Sequence, residues 1–300
     1  MSKKIPGIRL VITDLDNTLY DWYKSFVPAF YAMVEVATEI LAVDKEELLD
    51  ELKQVHVRYH NSEQPFALLE TPTIDRKFPN ATQLERKHLL DRAFRTFSEV
   101  RKKNLRLFPG VRTTLAKIRE RGCFVVGHTE AVVENSLYRL KVLDLISAFD
   151  RLYAPASSSP GHPDPARPKL HEVYSNFVSL LPTNHHKPDR AVLEDICRYF
   201  NVPVNRTLYV GDSLTRDISM AAMAGTYSAF AAYGGQCPHE MWTQLVRITH
   251  WTEQDVKLEE RLREEFASLK PEAELTSFSD LLKYFEFENG FEVATSGAED

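Results

Sequence analysis

The sequence predicts an α/β fold in which helices cover both faces of a parallel sheet, with a second, helical unit inserted into it. Three observations predict this. Residues 8–13 form a short, nearly continuous apolar run rich in β-branched residues, as expected of a strand buried on both faces. Residues from about 22 to 107 carry apolar residues at helical spacing. After Pro109-Gly110, strand-like runs alternate with helical patterns, which is typical of parallel strands joined by helices.

The inserted unit follows directly on the first strand. The apolar run at 8–13 ends in the acidic segment Asp14-Leu15-Asp16-Asn17-Thr18. The spacing of apolar residues then predicts helices over Phe26–Leu41, Lys45–Tyr59 and Leu84–Val100. An insertion of about 85 residues is within the usual size range of a domain. We therefore assign residues 1–20 and 107–300 to an α/β core, and residues 21–106 to an inserted helical domain.

The rest of the chain predicts the remainder of a Rossmann-like sheet. Strands are expected at Cys123–Val126, Phe149–Tyr153, Thr207–Val210 and Tyr227–Ala232, with a possible strand near Glu274–Leu275. Helices are expected at Val111–Arg119, Val132–Leu140, Arg190–Phe200, Ile218–Ala224, Val256–Ser268 and Ser279–Phe285. Residues 154–168 contain five prolines, three serines and a glycine, which predicts an extended, mobile surface loop. Residues 288–300 are expected to be a frayed tail.

The composition is that of an ordinary globular protein. Of 300 residues, 43% are hydrophobic and 27% are charged, so the chain can bury a sizeable core. The 37 basic and 43 acidic residues give a net charge of −6, which argues against nucleic acid or an anionic membrane surface as a partner. Apolar runs fall short of the ~20 residues of a membrane span, and no run of signal-peptide length precedes the acidic segment.

Cysteine and histidine spacing indicates no zinc or disulfide chemistry. Cys123, Cys197 and Cys237 are too scattered for a disulfide framework and lack the CxxC spacing of zinc and redox motifs. We expect three reduced thiols in a cytoplasmic protein, with Cys123 in the core. His56 and His60 stand four apart on a predicted helix, but without a third ligand we expect them on a solvated face.

Four polar clusters each follow a predicted strand or precede a predicted helix. In an open parallel sheet the carboxyl ends of the strands border one crevice, so these clusters are expected to lie close together. They are the acidic segment at 14–18, Gly127-His128-Thr129-Glu130, Lys187-Pro188, and the segment Gly211–Asp217. Each has an ordinary alternative. Asp and Thr also cap helices, and a lone lysine is usually just solvated.

The acids of the first and last clusters predict a metal site. Two carboxylates two residues apart are too close to stay ionised without a cation or a shared proton. Asp14 and Asp16, together with Asp212 and Asp217, bring four carboxylates to the same crevice, and their repulsion calls for a divalent cation. Ligands that are all oxygen favour Mg²⁺ over zinc.

Taken together and in this order, the four clusters resemble the haloacid dehalogenase-like superfamily of phosphohydrolases. Its DxDxT motif is matched by Asp14–Thr18 and its GDxxxxD motif by Gly211–Asp217, with Thr129 and Lys187 in the two positions between. The resemblance covers residues 5–20 and 107 to about 285. The helical insertion directly after the first motif looks like the cap found in one large branch of the superfamily.

The resemblance implies a role for each residue of the first motif. Asp14 would be the nucleophile that attacks phosphorus and forms an aspartyl-phosphate. Asp16 would be the general acid and base, which protonates the leaving alkoxide and then activates the hydrolytic water. The backbone carbonyl of Asp16 would also bind Mg²⁺.

The remaining motif positions would bind the phosphoryl group and the metal. Thr129 and Lys187 would hold the phosphoryl oxygens, with His128 beside them as a further substrate contact. Asp212 would bind the metal directly. Asp217 would either reach the metal through water or orient Lys187, and the sequence leaves both roles open.

The resemblance therefore implies a Mg²⁺-dependent phosphatase acting on a small phosphomonoester. The dehalogenase branch lacks an acid at the position of Asp16, because a halide leaving group needs no proton, so we favour a phosphatase over a dehalogenase. A phosphomutase, or a non-catalytic binding protein on the same fold, remains an alternative. Substrate choice is expected to lie in the cap, toward which Tyr20, Trp22 and Lys24 lead.

Overall fold

The centre of the molecule is a parallel sheet of seven strands. The computed structural model describes residues 4–64, 66–158, 160–251 and 253–291. Across the sheet the strands follow the order β5-β4-β3-β2-β6-β7-β8, and every neighbouring pair is parallel. The strands are β2 (Leu10–Thr13), β3 (Phe124–His128), β4 (Arg151–Pro155), β5 (Val178–Leu181), β6 (Thr207–Gly211), β7 (Tyr227–Phe230) and β8 (Ala273–Glu274). The predicted Rossmann-like α/β fold is confirmed.

The middle strands are buried throughout because helices cover both faces of the sheet. All residues of β2, β3 and β6 are buried, which explains why their sequences read as continuous apolar runs. Thr13 of β2 lies in register with Gly127 on one side and with Val210 on the other. The three strands therefore end at the same edge of the sheet.

The order of the strands reverses at β2. From β2 the chain proceeds to β3, β4 and β5 on one side, and then crosses to β6, β7 and β8 on the other. A crevice forms outside the carboxyl ends of the strands at such a reversal, and ligands of open parallel sheets bind there. The segments that follow β2 and β6 border this crevice.

Helices of the core cover the two faces of the sheet. They are α6 (Val111–Glu120), α7 (Val133–Val142), α8 (Leu170–Val173), α9 (Arg190–Phe200), α10 (Ser219–Ala224) and α13 (Leu281–Tyr284). Residues of β2 contribute to a cluster on each face. Val11 packs with α6 and α7 residues, whereas Leu10 and Ile12 pack with α9 and α10 residues.

The inserted segment forms a helical unit with its own hydrophobic core. Its helices are α1 (Trp22–Leu41), α2 (Lys45–Tyr59), α3 (Pro72–Lys77), α4 (Gln83–Leu89) and α5 (Asp91–Asn104). Asp21 caps α1 by accepting from the backbone of Lys24. Leu245 and Ile248 from a later helix, α11 (His239–Ile248), complete this core. A further helix, α12 (Glu253–Glu265), follows α11.

By length and composition, no single helix of the described residues is suited to cross a membrane. Helices α1 and α2 together have the length and apolar composition of a membrane span, but the chain bends by 119° between them.

A two-stranded sheet at the edge of the core is absent from the sequence predictions. Strand β1 (Ile5–Ile8) pairs in parallel with β9 (Phe285–Phe287). The helix predicted over Ser279–Phe285 is in fact a short 3₁₀ turn (Phe278–Asp280) followed by the single turn of α13. The helical prediction was wrong at its end because Phe285 pairs with Ile5, a contact between the two ends of the chain.

The proline-rich segment and the start of the predicted tail both contact the rest of the molecule. Ala154 and Pro155 belong to β4, and the Oγ of Ser158 donates to the backbone oxygen of Tyr59 at 3.1 Å. The predicted surface loop therefore touches the helical unit. The backbone of Glu288 donates to Ile8 at 2.8 Å, so the tail is hydrogen-bonded to the core at its start. Residues 292–300 of the predicted tail lie outside the described residues.

The predicted burial of Cys123 is confirmed, whereas the predicted exposure of His56 is wrong. All three cysteines are free, and Cys123 is buried in the core as predicted. His56 was predicted on a solvated face and is instead fully buried, with Nδ1 2.5 Å from the backbone oxygen of Ile248. The prediction was wrong because α11, which covers His56, comes from a distant part of the chain.

Candidate active site

The acidic segment at 14–18 turns sharply out of β2. The backbone nitrogen of Asp14 donates to Val210 at 2.8 Å, which continues the pairing with β6 by one residue. Asn17 adopts a positive φ of 56°, a conformation that asparagine tolerates better than most residues. The Oδ1 of Asn17 accepts from the backbone of Trp22 at 3.2 Å. This turn fixes Asp14 and Asp16 at the carboxyl end of the strand and leads into α1.

The second acidic segment follows β6. One turn of π-helix, Leu214–Ile218, directs Asp217 back toward the strand, where its Oδ2 accepts from the backbone of Ser213 at 3.1 Å. A Cβ on Gly211 would lie 2.3 Å from the Asp217 carboxyl carbon. Only glycine therefore allows Asp217 to fold over the end of the strand.

These two segments bring three of the four predicted acids together. Carboxylate oxygens of Asp14, Asp212 and Asp217 all lie within 4.8 Å of one another. The Oγ1 of Thr18 donates to Oδ1 of Asp212 at 3.5 Å, a long contact that links the two segments. Residues 198 positions apart in the sequence thus meet at the strand reversal, as the motif spacing predicts.

Lys187 lies between two of these acids. Its Nζ donates to Oδ1 of Asp14 at 2.5 Å and to Oδ1 of Asp217 at 2.9 Å. The side chain is only 2% exposed. Burial alone would lower the pKa of Lys187, but the carboxylates of Asp14 and Asp217 outweigh it and raise that pKa well above its usual value. Lys187 is therefore held as a cation against Asp14.

One lysine does not neutralise the three clustered carboxylates, of which Asp14 and Asp217 are buried and Asp212 is half-buried. Burial, followed by repulsion from Asp217, raises the pKa of Asp212 to about 7. Burial also raises the pKa of Asp14, and the attraction of Lys187 opposes this only in part. The cluster carries an excess of negative charge among oxygen ligands, which is the environment that a hard divalent cation such as Mg²⁺ prefers. The three acids therefore fit the predicted metal.

Asp16 is placed differently from the other three acids. Both of its carboxylate oxygens accept from Nη1 of Arg139 at 2.9 Å. The other terminal nitrogen of Arg139 donates to the carboxylate of Glu63, which also accepts from the indole of Trp22. The side chain of Asp16 thus points to Arg139 rather than into the acid cluster, so its carboxylate is not among the clustered metal-ligand oxygens.

Sequence reasoning missed Arg139 and Glu63. Arg139 lies on α7 and is 3% exposed, whereas Glu63 lies in the helical unit just after α2. Nothing in the local sequence marks either residue, because a single arginine or glutamate usually faces solvent. Contacts among α7, the acidic segment and the segment after α2, which are distant in the sequence, bring the pair to the site.

Of the two candidates in the second polar cluster, only Thr129 reaches the crevice. Its backbone donates to Tyr153 at 3.1 Å, its Oγ1 accepts from the backbone of Ala131 at 3.1 Å, and it lines the cavity above Asp14. His128 is fully buried, and its side chain lies among His185 and Tyr209, at 3.1 and 3.3 Å. The structure therefore does not bring His128 to the cavity, since side chains alternate between the two faces of a strand.

His128 instead belongs to a chain of buried polar groups behind Lys187. The hydroxyl of Tyr209 donates to Oδ1 of Asp217 at 3.2 Å. The same oxygen accepts from Lys187. These contacts hold Asp217 toward Lys187, so one of the two roles left open for Asp217, orienting the lysine, has direct geometric support.

A cavity of 580 Å³ opens above the acid cluster. Asp14, Asp16, Thr129, Lys187 and Asp212 line it, together with Asp217 and residues of the later helices. Trp22 lines the cavity, as expected of a residue that leads toward the inserted helical unit. Tyr20 is instead buried in the core, and Lys24 forms an ion pair with Asp21 at 2.7 Å.

The comparison with protein families identifies the family to which this fold belongs. The model described as "Hydrolase: haloacid dehalogenase-like hydrolase" matches residues 8–225. This span includes all four polar clusters and most of the sheet. The chain belongs to the haloacid dehalogenase-like hydrolases. None of the curated proteins compared with it gives a match.

Solved structures share the fold at low sequence identity. A 2-haloacid dehalogenase from Pseudomonas syringae pv. Tomato is 19% identical, with 92% of this chain and 97% of that chain covered and a TM-score of 0.57. A HAD phosphatase from Thermococcus onnurineus is 16% identical, with 94% and 100% covered and a TM-score of 0.54. One is named a dehalogenase and the other a phosphatase, so the fold itself does not choose between the two reactions.

Proposed function

We propose that this hydrolase is a Mg²⁺-dependent phosphatase that hydrolyses a small phosphomonoester through an aspartyl-phosphate on Asp14. The observation that carries the proposal is the position of Asp14. It lies at the strand reversal, 2.5 Å from the buried ammonium of Lys187 and within 4.8 Å of two further carboxylates. A nucleophilic carboxylate that lies beside a fixed cation, in a set of acids able to hold a divalent metal, is what attack on an anionic phosphate requires.

The metal would be held by Asp14 and Asp212, with Asp217 close enough to contribute directly or through water. A bound Mg²⁺ would neutralise charge on the acids and on the phosphoryl group, so that two anions can approach one another. Lys187 supplies a second positive charge from the protein itself.

The chain's own residues account for both halves of the reaction. An oxygen of Asp14 attacks phosphorus, the bond from phosphorus to the ester oxygen breaks, and Asp16 gives its proton to the departing alkoxide. Thr129 and Lys187 hold the phosphoryl oxygens meanwhile. Water then attacks the aspartyl-phosphate, Asp16 takes a proton from that water, and inorganic phosphate leaves with Asp14 restored.

Asp16 supports a phosphatase over a dehalogenase, because a halide needs no proton and an alkoxide does. For this role at least one oxygen of Asp16 must be released from Arg139, to which both oxygens are bonded. Arg139 is also bonded to Glu63 of the helical unit. We infer that movement of this unit is coupled to the availability of Asp16.

The helical unit is proposed to be the cap, with residues 21–106 as its main part. The packing of Leu245 and Ile248 on its core supports the inclusion of α11 as well. A cap can close over a small ligand and exclude water. Small phosphomonoesters rather than nucleic acids are the proposed partners, and the free cysteines favour a reducing, cytoplasmic setting.

The decisive experiment measures steady-state hydrolysis of p-nitrophenyl phosphate with and without Mg²⁺. We expect turnover that requires Mg²⁺ and that Asp14→Asn abolishes. Asp195→Asn, at an exposed position of α9, serves as the matched control and retains turnover. Equal activity in wild type and Asp14→Asn would reject the proposal. No turnover across a broad screen of phosphometabolites, together with a stable protein partner, would favour a binding protein instead.

A further inference from the structure

The cavity above Asp14 is much larger than a phosphoryl group needs. Its 580 Å³ falls in the range of about 300–1,000 Å³ that is typical of small-molecule sites. The core residues around Asp14 and Lys187 account for the phosphoryl group. The remaining lining must therefore face the part of the substrate that leaves.

That remaining lining is rich in aromatic side chains. Five of them border the cavity and are neither fully buried nor fully exposed: Trp22, Tyr23, Phe230, Trp242 and Trp251. Half-buried aromatic rings that border a cavity offer flat apolar surface at low cost in conformational entropy. Three of the five are the only tryptophans in the sequence.

The rings are held in place by their neighbours. Trp242 and Trp251 have their centroids 5.5 Å apart at an interplanar angle of 39°. Trp22 stacks on Phe26 with centroids 5.2 Å apart and nearly parallel planes, at 8°. Its indole nitrogen donates to Glu63, which fixes the rotation of the ring. These rings are preorganised, so binding a ligand against them requires little reordering.

Packing of the helical unit does not by itself explain this arrangement. Trp242 and Trp251 do lie against its core, but each also keeps part of its surface on the cavity. Gln236 and Glu260 line the same cavity and offer polar groups there. A ligand portion that is flat and apolar on its faces and polar at its edges matches both features.

We propose that the leaving group of the substrate carries a heteroaromatic ring, which packs against Trp242 and Trp251 while the phosphoryl group lies at Asp14. The proposal rests on the proposed phosphatase function and narrows its substrate class. Stacking of such a ring on an aromatic side chain contributes about 1–3 kcal/mol, which corresponds to roughly 5- to 150-fold in affinity for each ring.

The test compares two phosphomonoesters of ribose, one with a heteroaromatic base at C1 and the other with a hydroxyl group there. A nucleoside 5′-monophosphate and ribose 5-phosphate present the same primary phosphate ester, and only the first carries a heteroaromatic base. We expect wild type to prefer the nucleotide by at least about tenfold in kcat/KM. Trp242→Leu and Trp251→Leu each lower this preference about tenfold. Because both substrates are measured on one preparation, partial loss of folded enzyme cancels in the ratio.

Substitution of Trp242 could also act by loosening the packing of α11, and Tyr31→Leu is the matched control for that effect. Tyr31 packs on the core of the helical unit, and its hydroxyl donates to the backbone of Gln244 in α11 at 3.0 Å, but it does not line the cavity. This variant is expected to keep the wild-type ratio. A ratio near one in wild type, or tryptophan variants that keep the wild-type ratio, would overturn the proposal.

A binding measurement separates the two proposals. Calorimetry on Asp14→Asn with the same two compounds tests recognition of the ring without turnover. Tighter binding of the nucleotide that is lost in Asp14→Asn/Trp242→Leu supports the ring site even if no hydrolysis is found, in which case the phosphatase proposal fails alone. Equal binding of both compounds, with hydrolysis intact in wild type, rejects the ring site and leaves the phosphatase proposal standing.

Discussion

Arg139 donates to both carboxylate oxygens of Asp16 at 2.9 Å, and its side chain is almost fully buried. Its second terminal nitrogen is bonded to Glu63. One buried cation is therefore shared by an acid of the core and an acid of the helical unit. Burial would lower the pKa of Arg139, but Asp16 and then Glu63 outweigh it and raise that pKa above its ordinary value. The guanidinium stays charged and holds the two units together.

Removal of Arg139 is expected to destabilise the protein strongly. Arg139→Met leaves the half-buried carboxylates of Asp16 and Glu63 without their shared cation. Removing one partner of a fully buried pair costs about 3–5 kcal/mol, so we expect a loss of stability toward the lower end of this range. Replacing Glu63 as well, in Glu63→Gln/Arg139→Met, should recover part of the lost free energy of unfolding, because one of the two unpaired carboxylates is removed. Urea unfolding of the single and double variants measures both effects.

The control for these stability measurements is Arg198→Met. Arg198 pairs with Asp195 on the exposed face of α9, with 74% of its side chain accessible, so its loss should change the free energy of unfolding by less than about 0.5 kcal/mol. If the double variant is no more stable than Arg139→Met, then the carboxylate of Glu63 does not destabilise the protein when Arg139 is absent.

Asp16→Asn should separate the two steps of the proposed reaction. A p-nitrophenolate leaves without a proton, so Asp14 can still be phosphorylated by p-nitrophenyl phosphate. The water that follows then lacks its base, and loss of general acid–base catalysis costs about 10²–10⁴-fold in rate. Rapid mixing should therefore show a burst of p-nitrophenol equal to the enzyme concentration, followed by slow turnover.

Alkyl phosphates provide the contrast for this variant. Their alkoxide does need the proton, so both steps suffer in Asp16→Asn and no burst is expected. A variant that turns over both kinds of ester at the wild-type rate would remove Asp16 from the mechanism.

Mg²⁺ should stabilise the protein through Asp212. In the metal-free protein the pKa of Asp212, about 7 in the folded state, lies above the value of about 3.9 in an unfolded chain. The folded state then binds a proton that the unfolded state does not, so stability falls as the pH rises from about 4 to about 7. Mg²⁺ replaces that proton, and at 100 times its Kd it adds about 2.7 kcal/mol.

Asp212→Asn tests this assignment at pH 8. Neutralising the side chain should raise the metal-free melting temperature above that of wild type, because one of three repelling charges is removed, and should abolish the upward shift on adding Mg²⁺. Asp195→Asn, at an exposed position, should keep the wild-type shift. An unchanged Mg²⁺ response in Asp212→Asn would place the metal elsewhere.

Much of the acid cluster could be predicted from the sequence, because its geometry follows from the strands. Strands β2 and β6 read as continuous apolar runs, and each is followed at once by an acidic segment. Neighbouring parallel strands end at one edge, so Asp14 and Asp212 had to meet. The motifs added Lys187 and Thr129, which the structure also places at the crevice.

What the sequence could not predict depends on contacts between distant segments. The Asp16–Arg139–Glu63 arrangement joins three elements, and no local pattern records it. Strand β5 was missed because it lies at the edge of the sheet and is only partly buried, so its apolar pattern is weak. Likewise, β1 and β9 are defined only by their pairing with each other.

The contact between His56 and α11 gives a further prediction, about the pH dependence of stability. Burial lowers its pKa to about 4, and the hydrogen bond with the backbone of Ile248 opposes this only in part. An unfolded histidine titrates near 6.5. Between these two values the unfolded state binds a proton that the folded state does not, so the free energy of unfolding falls as the pH is lowered from about 6.5 to about 4. Each pH unit in this window costs about 1.4 kcal/mol, which amounts to about 2 kcal/mol between pH 7 and pH 5.

His56→Asn isolates this effect, because an asparagine amide can still donate to Ile248 but does not titrate. We expect the variant to be less stable than wild type at pH 7, since the smaller side chain leaves a cavity under α11. Between pH 7 and pH 5 the difference in free energy of unfolding between the two proteins should shrink by about 2 kcal/mol, because only wild type has a histidine at this position that takes up a proton on unfolding. Urea unfolding of both proteins at the two pH values measures this difference, and carboxylates elsewhere cancel in it. A difference that stays constant would mean that His56 is already protonated in the fold, or that α11 opens before it titrates.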